Sequence, residues 1–231
     1  MEIAGLQKLT LIDYPGKLAC TVFLPGCNFR CPWCYSKELV LPEEIKKQPR
    51  IKEKEFFDFL KERVGLVQGV VICGGEPTIF KDLASFAKKI KKMGYLVKLD
   101  TNGSNPKMIK ELIKKKLIDY IAMDIKLPKE KYARVFHDKT KIKDIEESIN
   151  LLKTGLIDYE FRTTMVPTIH QKEDIFKIAH WIRPARKYFL QSFRPEKTVD
   201  PAFEKIKPYP RELLLEIQKS ISPLFEICRV R

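Results

Sequence analysis

The sequence predicts an α/β fold, a parallel sheet with helices on its outside, wound as an incomplete barrel of the (β/α)6 type. Three observations predict it. Short β-type apolar runs alternate with segments of helical apolar spacing from about residue 18 onward. Each apolar run ends in a cluster of polar, Gly or Cys residues, as strand ends gathered on one rim of a parallel sheet do. The 231 residues, 44% hydrophobic and 10% aromatic, suffice for one sizeable core but fall short of the ~250 typical of an eight-unit barrel. The expectation is a single domain over 1–231 with its core at about 18–195 and a helix and strand within 208–231.

The strands are expected at Leu18–Leu24, Gly69–Cys73, Leu96–Leu99, Tyr120–Ile125, Asp158–Thr164 and Lys187–Gln191, with the weakest signal at Leu224–Val230. Between them the apolar residues take the i, i+3 or i+4, i+7 spacing of a helix with one buried face. The stripes are Phe56, Phe57, Leu60 and Val64; Leu83, Phe86, Ala87 and Ile90; Met108, Ile109, Leu112 and Ile113. They continue with Ile145, Ile149 and Leu152, then Ile175, Ile178, Ala179 and Ile182. Pro128 to Lys141 reads as a loop or short helix, and the proline-rich stretch from Arg194 to Pro210 as a long connection.

A formal charge of +14 raises nucleic acid, an anionic membrane surface or an acidic protein as partners. Most basic residues are lysines in helical runs such as Lys88, Lys89, Lys91 and Lys92, which read as solvated faces rather than a polyanion groove. No apolar run approaches the ~20 residues of a membrane span, and the N-terminal segment has no basic region followed by an apolar stretch. A cytoplasmic protein is expected, with no membrane partner.

Three of the six cysteines crowd into Cys27, Cys31 and Cys34, while Cys20, Cys73 and Cys228 sit in apolar stretches and read as core residues. The C-x3-C-x2-C loop leaves the first strand, and three thiolates make a soft-metal site for an iron-sulfur cluster or zinc. A structural zinc wants four ligands, and Cys20, Cys73, His137, His170 and His180 all lie outside a finger-like spacing. A cubane cluster is satisfied by three thiolates with one iron left open. The three histidines have no motif partner and read as surface or packing residues. Further polar clusters stand after the other strands: Gly74-Gly75-Glu76-Pro77, Asp100-Thr101-Asn102-Gly103, Asp124 and Lys126, Arg162 to Met165, then Gln191, Ser192 and Arg194. On one rim they form an active-site layout.

C-x3-C-x-aromatic-C after the first strand with Gly-Gly-Glu-Pro after the second resembles the radical S-adenosylmethionine (SAM) enzymes, whose fold is a partial β/α barrel. Ile12-Asp13-Tyr14-Pro15-Gly16-Lys17, Leu24-Pro25-Gly26-Cys27, Asp100-Thr101-Asn102-Gly103 and Met123-Asp124-Ile125-Lys126 resemble the glycyl-radical-enzyme activating branch. Within it the likeness is to activating proteins of anaerobic ribonucleoside-triphosphate reductase, and more distantly to pyruvate formate-lyase activating enzyme. The resemblance implies a [4Fe-4S] cluster on Cys27, Cys31 and Cys34 that cleaves SAM reductively to methionine and a 5'-deoxyadenosyl radical. Trp33, with Cys34 and Tyr35, would line the cofactor, Trp33 near the adenine. Gly74, Gly75 and Glu76 would bind the methionine end, the Glu76 carboxylate accepting from the ammonium.

The resemblance places Asp100, Thr101 and Asp124 near the SAM carboxylate, around a monovalent cation in some relatives, with Lys126 able to relieve the repulsion. Arg162 would be a further ribose or carboxylate contact, or else a salt bridge on the rim. The implied partners are a glycyl radical enzyme, anaerobic ribonucleotide reductase first, and a low-potential electron donor such as flavodoxin or ferredoxin. Where the branch often carries His-Asn after the third cysteine, this chain has Tyr35-Ser36. Two other functions stand beside this one: a radical SAM enzyme acting on a small molecule or RNA base, and a zinc-stabilised nucleic-acid-binding module.

Overall fold

In a computed structural model, which describes residues 1–137 and 141–231, eight strands form one sheet whose spatial order follows the sequence order. They are β1 (Gly5–Thr10), β2 (Ala19–Leu24), β3 (Gly69–Gly74), β4 (Leu96–Thr101), β5 (Tyr120–Asp124), β6 (Asp158–Met165), β7 (Ala185–Ser192) and β8 (Phe225–Val230). All neighbours from β2 to β8 pair parallel. An order that never reverses is the winding of a barrel; a doubly wound sheet would switch direction at its crevice. The seven parallel strands match the six expected ones and the weaker seventh run at Leu224–Val230.

The strand that the sequence reading lacked is β1. It pairs antiparallel with β2, Gly5 opposite Phe23 and Thr10 opposite Ala19, at the free edge of the sheet. Residues 7–9 are exposed, so the segment shows neither the continuous apolar run of the parallel strands nor a clean alternation.

The helices are α1 (Lys37–Val40), α2 (Pro42–Ile45), α3 (Glu53–Glu62), α4 (Leu83–Lys92), α5 (Pro106–Lys114), α6 (Ile142–Lys153), α7 (Lys172–Ile182) and α8 (Arg211–Ile221). Helices α3 to α7 carry the five expected stripes: Phe56 and Leu60, Leu83, Phe86 and Ile90, Ile109 and Leu112, Ile145 and Ile149, Ile175, Ile178 and Ile182 are all buried, and α8 is the helix expected within 208–231. The two short helices after the cysteines were not expected. Of the stretch read as a loop or short helix, Lys129–Val135 forms a 3-10 turn, and 138–140 lie outside the described residues.

Alternation along the parallel strands sends Val70 and Ile72, Val97 and Leu99, Ile121 and Met123 to the helices, where they join one large core. Ala19, Val71 and Tyr120 turn the other way and pack only a small second cluster with Tyr14. The inside of the barrel is therefore thinly filled with apolar groups, which leaves room for polar side chains above them. No helix among the described residues is long and apolar enough to cross a membrane.

Candidate active site

The loop after β2 has little regular structure, and its neighbours hold its shape. Gly26 N donates to Leu39 O at 2.7 Å and Arg30 N to Val135 O at 2.9 Å, while Val199 N and Asp200 N donate to Cys34 O and Pro32 O, each at 2.9 Å. The Arg30 guanidinium donates back to Cys27 O and Phe29 O at 2.7 and 2.8 Å. The long connection after β7 thus clasps the cysteine loop from outside. Burial pushes the Cys27 thiol up to about 12, with the Glu76 charge adding to it, and raises Cys31 and Cys34 as well; Lys126 opposes the shift at all three.

Gly74 and Gly75 are required by the chain's own packing. A Cβ on Gly74, at φ +136°, would fall 2.1 Å from Leu24 O, and one on Gly75 would fall 2.0 Å from Gly26 O. The turn after β3 therefore presses directly against the start of the cysteine loop, and Glu76 N donates to Gly26 O at 2.8 Å.

The Glu76 carboxylate is fully buried and faces donors of the protein itself. Oε1 accepts from Thr78 N at 3.0 Å, Thr78 Oγ1 at 2.5 Å and Thr101 Oγ1 at 2.7 Å, and Oε2 from Asn102 N at 2.6 Å. Burial raises its pKa and these donors pull the other way. Asn102 Nδ2 donates in turn to Asn28 Oδ1 at 3.0 Å, so one carboxylate ties the turns after β3 and β4 to the cysteine loop.

At the ends of β4, β5 and β6 stands a linear array of charge. Lys98, 1% exposed, lies two residues before Asp100 on the same face of β4 and donates to Asp100 Oδ1. Arg162 donates from Nη1 to Asp100 Oδ2 at 3.0 Å and from Nε to Asp124 Oδ1 at 2.8 Å, and Lys126 Nζ donates to Asp124 Oδ2 at 2.9 Å. Burial alone would raise Asp124, but Arg162 and then Lys126 overcome it and hold the carboxyl well below the usual range. Each carboxylate oxygen accepts from a cationic nitrogen, and three cations against two anions leave one positive charge for a ligand carboxylate.

These groups meet in one cavity of about 450 Å³. Its wall carries Cys27, Cys31, Trp33, Cys34, Tyr35, Gly74, Gly75, Asp100, Thr101, Asp124, Lys126 and Arg162, together with Gln191 and Arg194. Of the residues expected to hold the cluster or SAM, Glu76 is the one off this wall. The cavity runs on past Thr21 and Phe23 to Gln7, Ile12 and Asp13, beside the open edge of the barrel. Cys73, expected in the core, is half-buried and lines the cavity.

A profile of the Radical SAM superfamily matches residues 21–182, the whole series from β2 to α7. The chain belongs to the radical SAM superfamily. A Methanocaldococcus jannaschii protein named "Putative glycyl-radical enzyme activating enzyme" is 39% identical over 216 residues, 91% of this chain and 87% of its own. A second protein of that organism and name is 26% identical over 78% of this chain and 65% of its own. Among solved structures, Escherichia coli QueE aligns with TM-score 0.61 at 16% identity, covering 99% of this chain and 92% of that one. Streptococcus suis SuiB bound to SAM aligns with TM-score 0.67 at 13% identity, covering 90% of this chain and 51% of that one. These two likenesses are of fold alone.

As a radical SAM enzyme the protein uses a [4Fe-4S] cluster and SAM, and the donor set fits. Three thiols face one cavity, while among the described residues no three His, Cys, Asp or Glu side chains are gathered for a single metal ion. A cluster spreads its thiolates over separate irons, whereas zinc needs them on one centre. Membership of the radical SAM superfamily sets the zinc-stabilised nucleic-acid module aside. Several residues of the site escaped the sequence reading. Lys98 looked like one more lysine, and Asn28, Thr78 and Asn102 carry bonds between loops distant in sequence. His170, read as surface or packing, is 1% exposed and hydrogen-bonded on both ring nitrogens.

Proposed function

We propose that this radical SAM enzyme generates a glycyl radical on a partner protein, and that the partner is an anaerobic ribonucleoside-triphosphate reductase. The observation that carries the first part is the identity to the Methanocaldococcus jannaschii protein across nearly the whole of both chains. The motifs around Asp13, Cys27, Asp100 and Asp124 support the choice of reductase. A cavity that continues from the cysteines to Gln7 and Asp13 at the open edge suits a peptide loop entering from the side.

Loaded with its cluster and SAM, the site would supply a 5'-deoxyadenosyl radical, the one electron being consumed in cleaving SAM so that methionine is the other product. Cys27, Cys31 and Cys34 hold the cluster by giving up protons that burial makes hard to lose, with Lys126 as the compensating cation. Gly74 and Gly75 offer bare backbone to the methionine end. The positive charge of Arg162 and Lys126, with Lys98 behind Asp100, would receive the carboxylate, and Trp33 would pack against the adenine. A hydrogen atom leaves the partner's glycine Cα to give 5'-deoxyadenosine and the glycyl radical. The electron comes from a flavodoxin or ferredoxin. The compartment is a reducing cytoplasm, which keeps Cys27, Cys31 and Cys34 available to a cluster.

The test is anaerobic reconstitution, reduction with dithionite, and mixing with SAM and the reductase. Release of 5'-deoxyadenosine together with a glycyl doublet in the electron paramagnetic resonance spectrum is expected. Cleavage of SAM with no radical on the reductase would overturn the partner, and no cleavage at full cluster occupancy would overturn the activity. Two relatives favour a second reading, a small-molecule substrate. The barrel interior also holds buried Glu160, bonded to Arg231 at 2.7 and 3.0 Å and to Tyr120 at 2.9 Å. Proteins of Thermococcus kodakarensis named 7-carboxy-7-deazaguanine synthase and probable GTP 3',8-cyclase are 27% and 26% identical over 60% and 84% of this chain.

A further inference from the structure

We infer that His170 is a positioning residue of the cofactor cavity, acting through the backbone of Lys126 and the ring of Trp33. β5 ends at Asp124, so the next backbone groups have left the sheet ladder and need other partners. All of them find one. Ile125 N donates to Arg162 O at 2.8 Å, and Ile125 O accepts from Thr163 Oγ1 at 2.8 Å. Lys126 N donates to Tyr132 Oη at 3.1 Å, and Lys126 O faces His170 Nε2 at 2.8 Å. The segment that presents Lys126 to the cavity is thus gripped on its amide side by Tyr132 and on its carbonyl side by His170.

The histidine can play this part in only one state. Val166 N, 3.1 Å from Nδ1, can only donate, and Lys126 O can only accept. Nδ1 is therefore the bare nitrogen and Nε2 carries the proton, a neutral ring in a single tautomer. Its own backbone is anchored too, Tyr209 Oη donating to His170 O at 2.8 Å. The same ring meets Trp33 edge-on, with centroids 6.0 Å apart and planes at 75°. One buried imidazole therefore touches both the residue before the last cysteine and the lysine that neutralises Asp124. Tyr132 makes a parallel link, its ring 6.3 Å from Phe29 inside the cysteine loop.

A residue that only filled space would contribute to folding and leave ligand affinity alone; a positioning residue changes affinity through its target. The inference rests on this cavity being the SAM site and is independent of the partner. Retained SAM affinity with no radical on the reductase would therefore sink the function above and leave this inference standing. The experiment measures SAM dissociation constants by anaerobic equilibrium dialysis on reconstituted protein of matched cluster content. His170→Leu is expected to weaken binding about tenfold in the wild-type background and by less than about twofold beside Lys126→Met, because the two changes act on one interaction. His170→Gln, which can donate to Lys126 O and accept from Val166 N, is expected within about threefold of wild type.

Equal weakening by His170→Leu in both backgrounds, unchanged affinity, or a Gln variant as poor as Leu would each overturn the inference. Should His170→Leu not fold, Tyr132→Phe decides, since it removes only the hydroxyl on the amide side of Lys126. About threefold weaker binding that vanishes beside Lys126→Met supports the brace, and unchanged affinity refutes it.

Discussion

The two faces of the barrel strands follow opposite rules. On β3, Val70 and Ile72 go outward while Val71 and Cys73 go inward; on β4, Val97 and Leu99 oppose Lys98 and Asp100; on β6, Tyr159 and Phe161 oppose Glu160 and Arg162. The outer face is held by burial, which is non-directional and spread over dozens of contacts. The inner face is held by a few charge-assisted hydrogen bonds, each of which aims a particular atom. Outer residues should therefore govern stability with little effect on ligand binding, whereas inner residues should govern ligand binding and, where they are buried charge partners, stability as well.

The largest separation should come from the cysteines. Cys31→Ala is expected to remove the cluster and all SAM cleavage while helical content by circular dichroism stays nearly unchanged. Global unfolding would instead give the loop a structural role. Next comes the hub of the inner array. Arg162→Met strands Asp100 and Asp124 with one cation each, and should cost about 3–5 kcal/mol of stability in urea unfolding and weaken SAM at least tenfold. Lys98→Met should act on the same ligand through Asp100, with a smaller loss of affinity.

Outside, Ile72→Ala should cost about 2–5 kcal/mol, with the SAM dissociation constant within about twofold of wild type. A tenfold change in affinity from this outer residue would break the division between faces. The smallest effect belongs to the solvated lysines. Lys88→Ala and Lys92→Ala on α4 should each shift stability by less than about 0.5 kcal/mol and leave SAM binding alone.

Acid sharpens the same contrast. Asp124 is held below the usual carboxylate range by Arg162 and Lys126 against the cost of burial. Its stabilisation is complete above the unfolded value near about pH 4 and fades as pH falls through the lower folded value. Urea midpoints of the wild type should drop across that window, and Asp124→Asn should flatten the slope. Ile72→Ala should lower the curve without changing its shape.

The outer face was legible in the sequence because its signal is periodic. Apolar runs and helical stripes placed all seven parallel strands and five of the six long helices, the sixth being expected only as a helix within 208–231, and the polar residues closing each run marked the rim. β1 was illegible because an exposed edge strand has no buried face to impose a pattern, as Gln7, Lys8 and Leu9 illustrate. The inner face was legible only where a motif stood on it. Cys27, Cys31, Cys34, Asp100 and Asp124 came with recognisable neighbours. Lys98 and His170 did not, since the partners that define them are an aspartate across a pleat and a carbonyl 44 residues away. Glu76 was noticed for its motif, but its side chain braces three loops, a role that only the folded chain displays.

We propose that this cavity delivers a hydrogen-abstracting radical to a partner's glycine. The most direct measurement mixes the reduced, reconstituted enzyme with SAM and an anaerobic reductase whose glycines carry deuterium at Cα, and analyses the 5'-deoxyadenosine by mass spectrometry. Deuterium in the nucleoside, together with loss of splitting in the glycyl signal of the reductase, is the predicted result. Nucleoside free of deuterium, formed while the reductase stays without a radical, would contradict it.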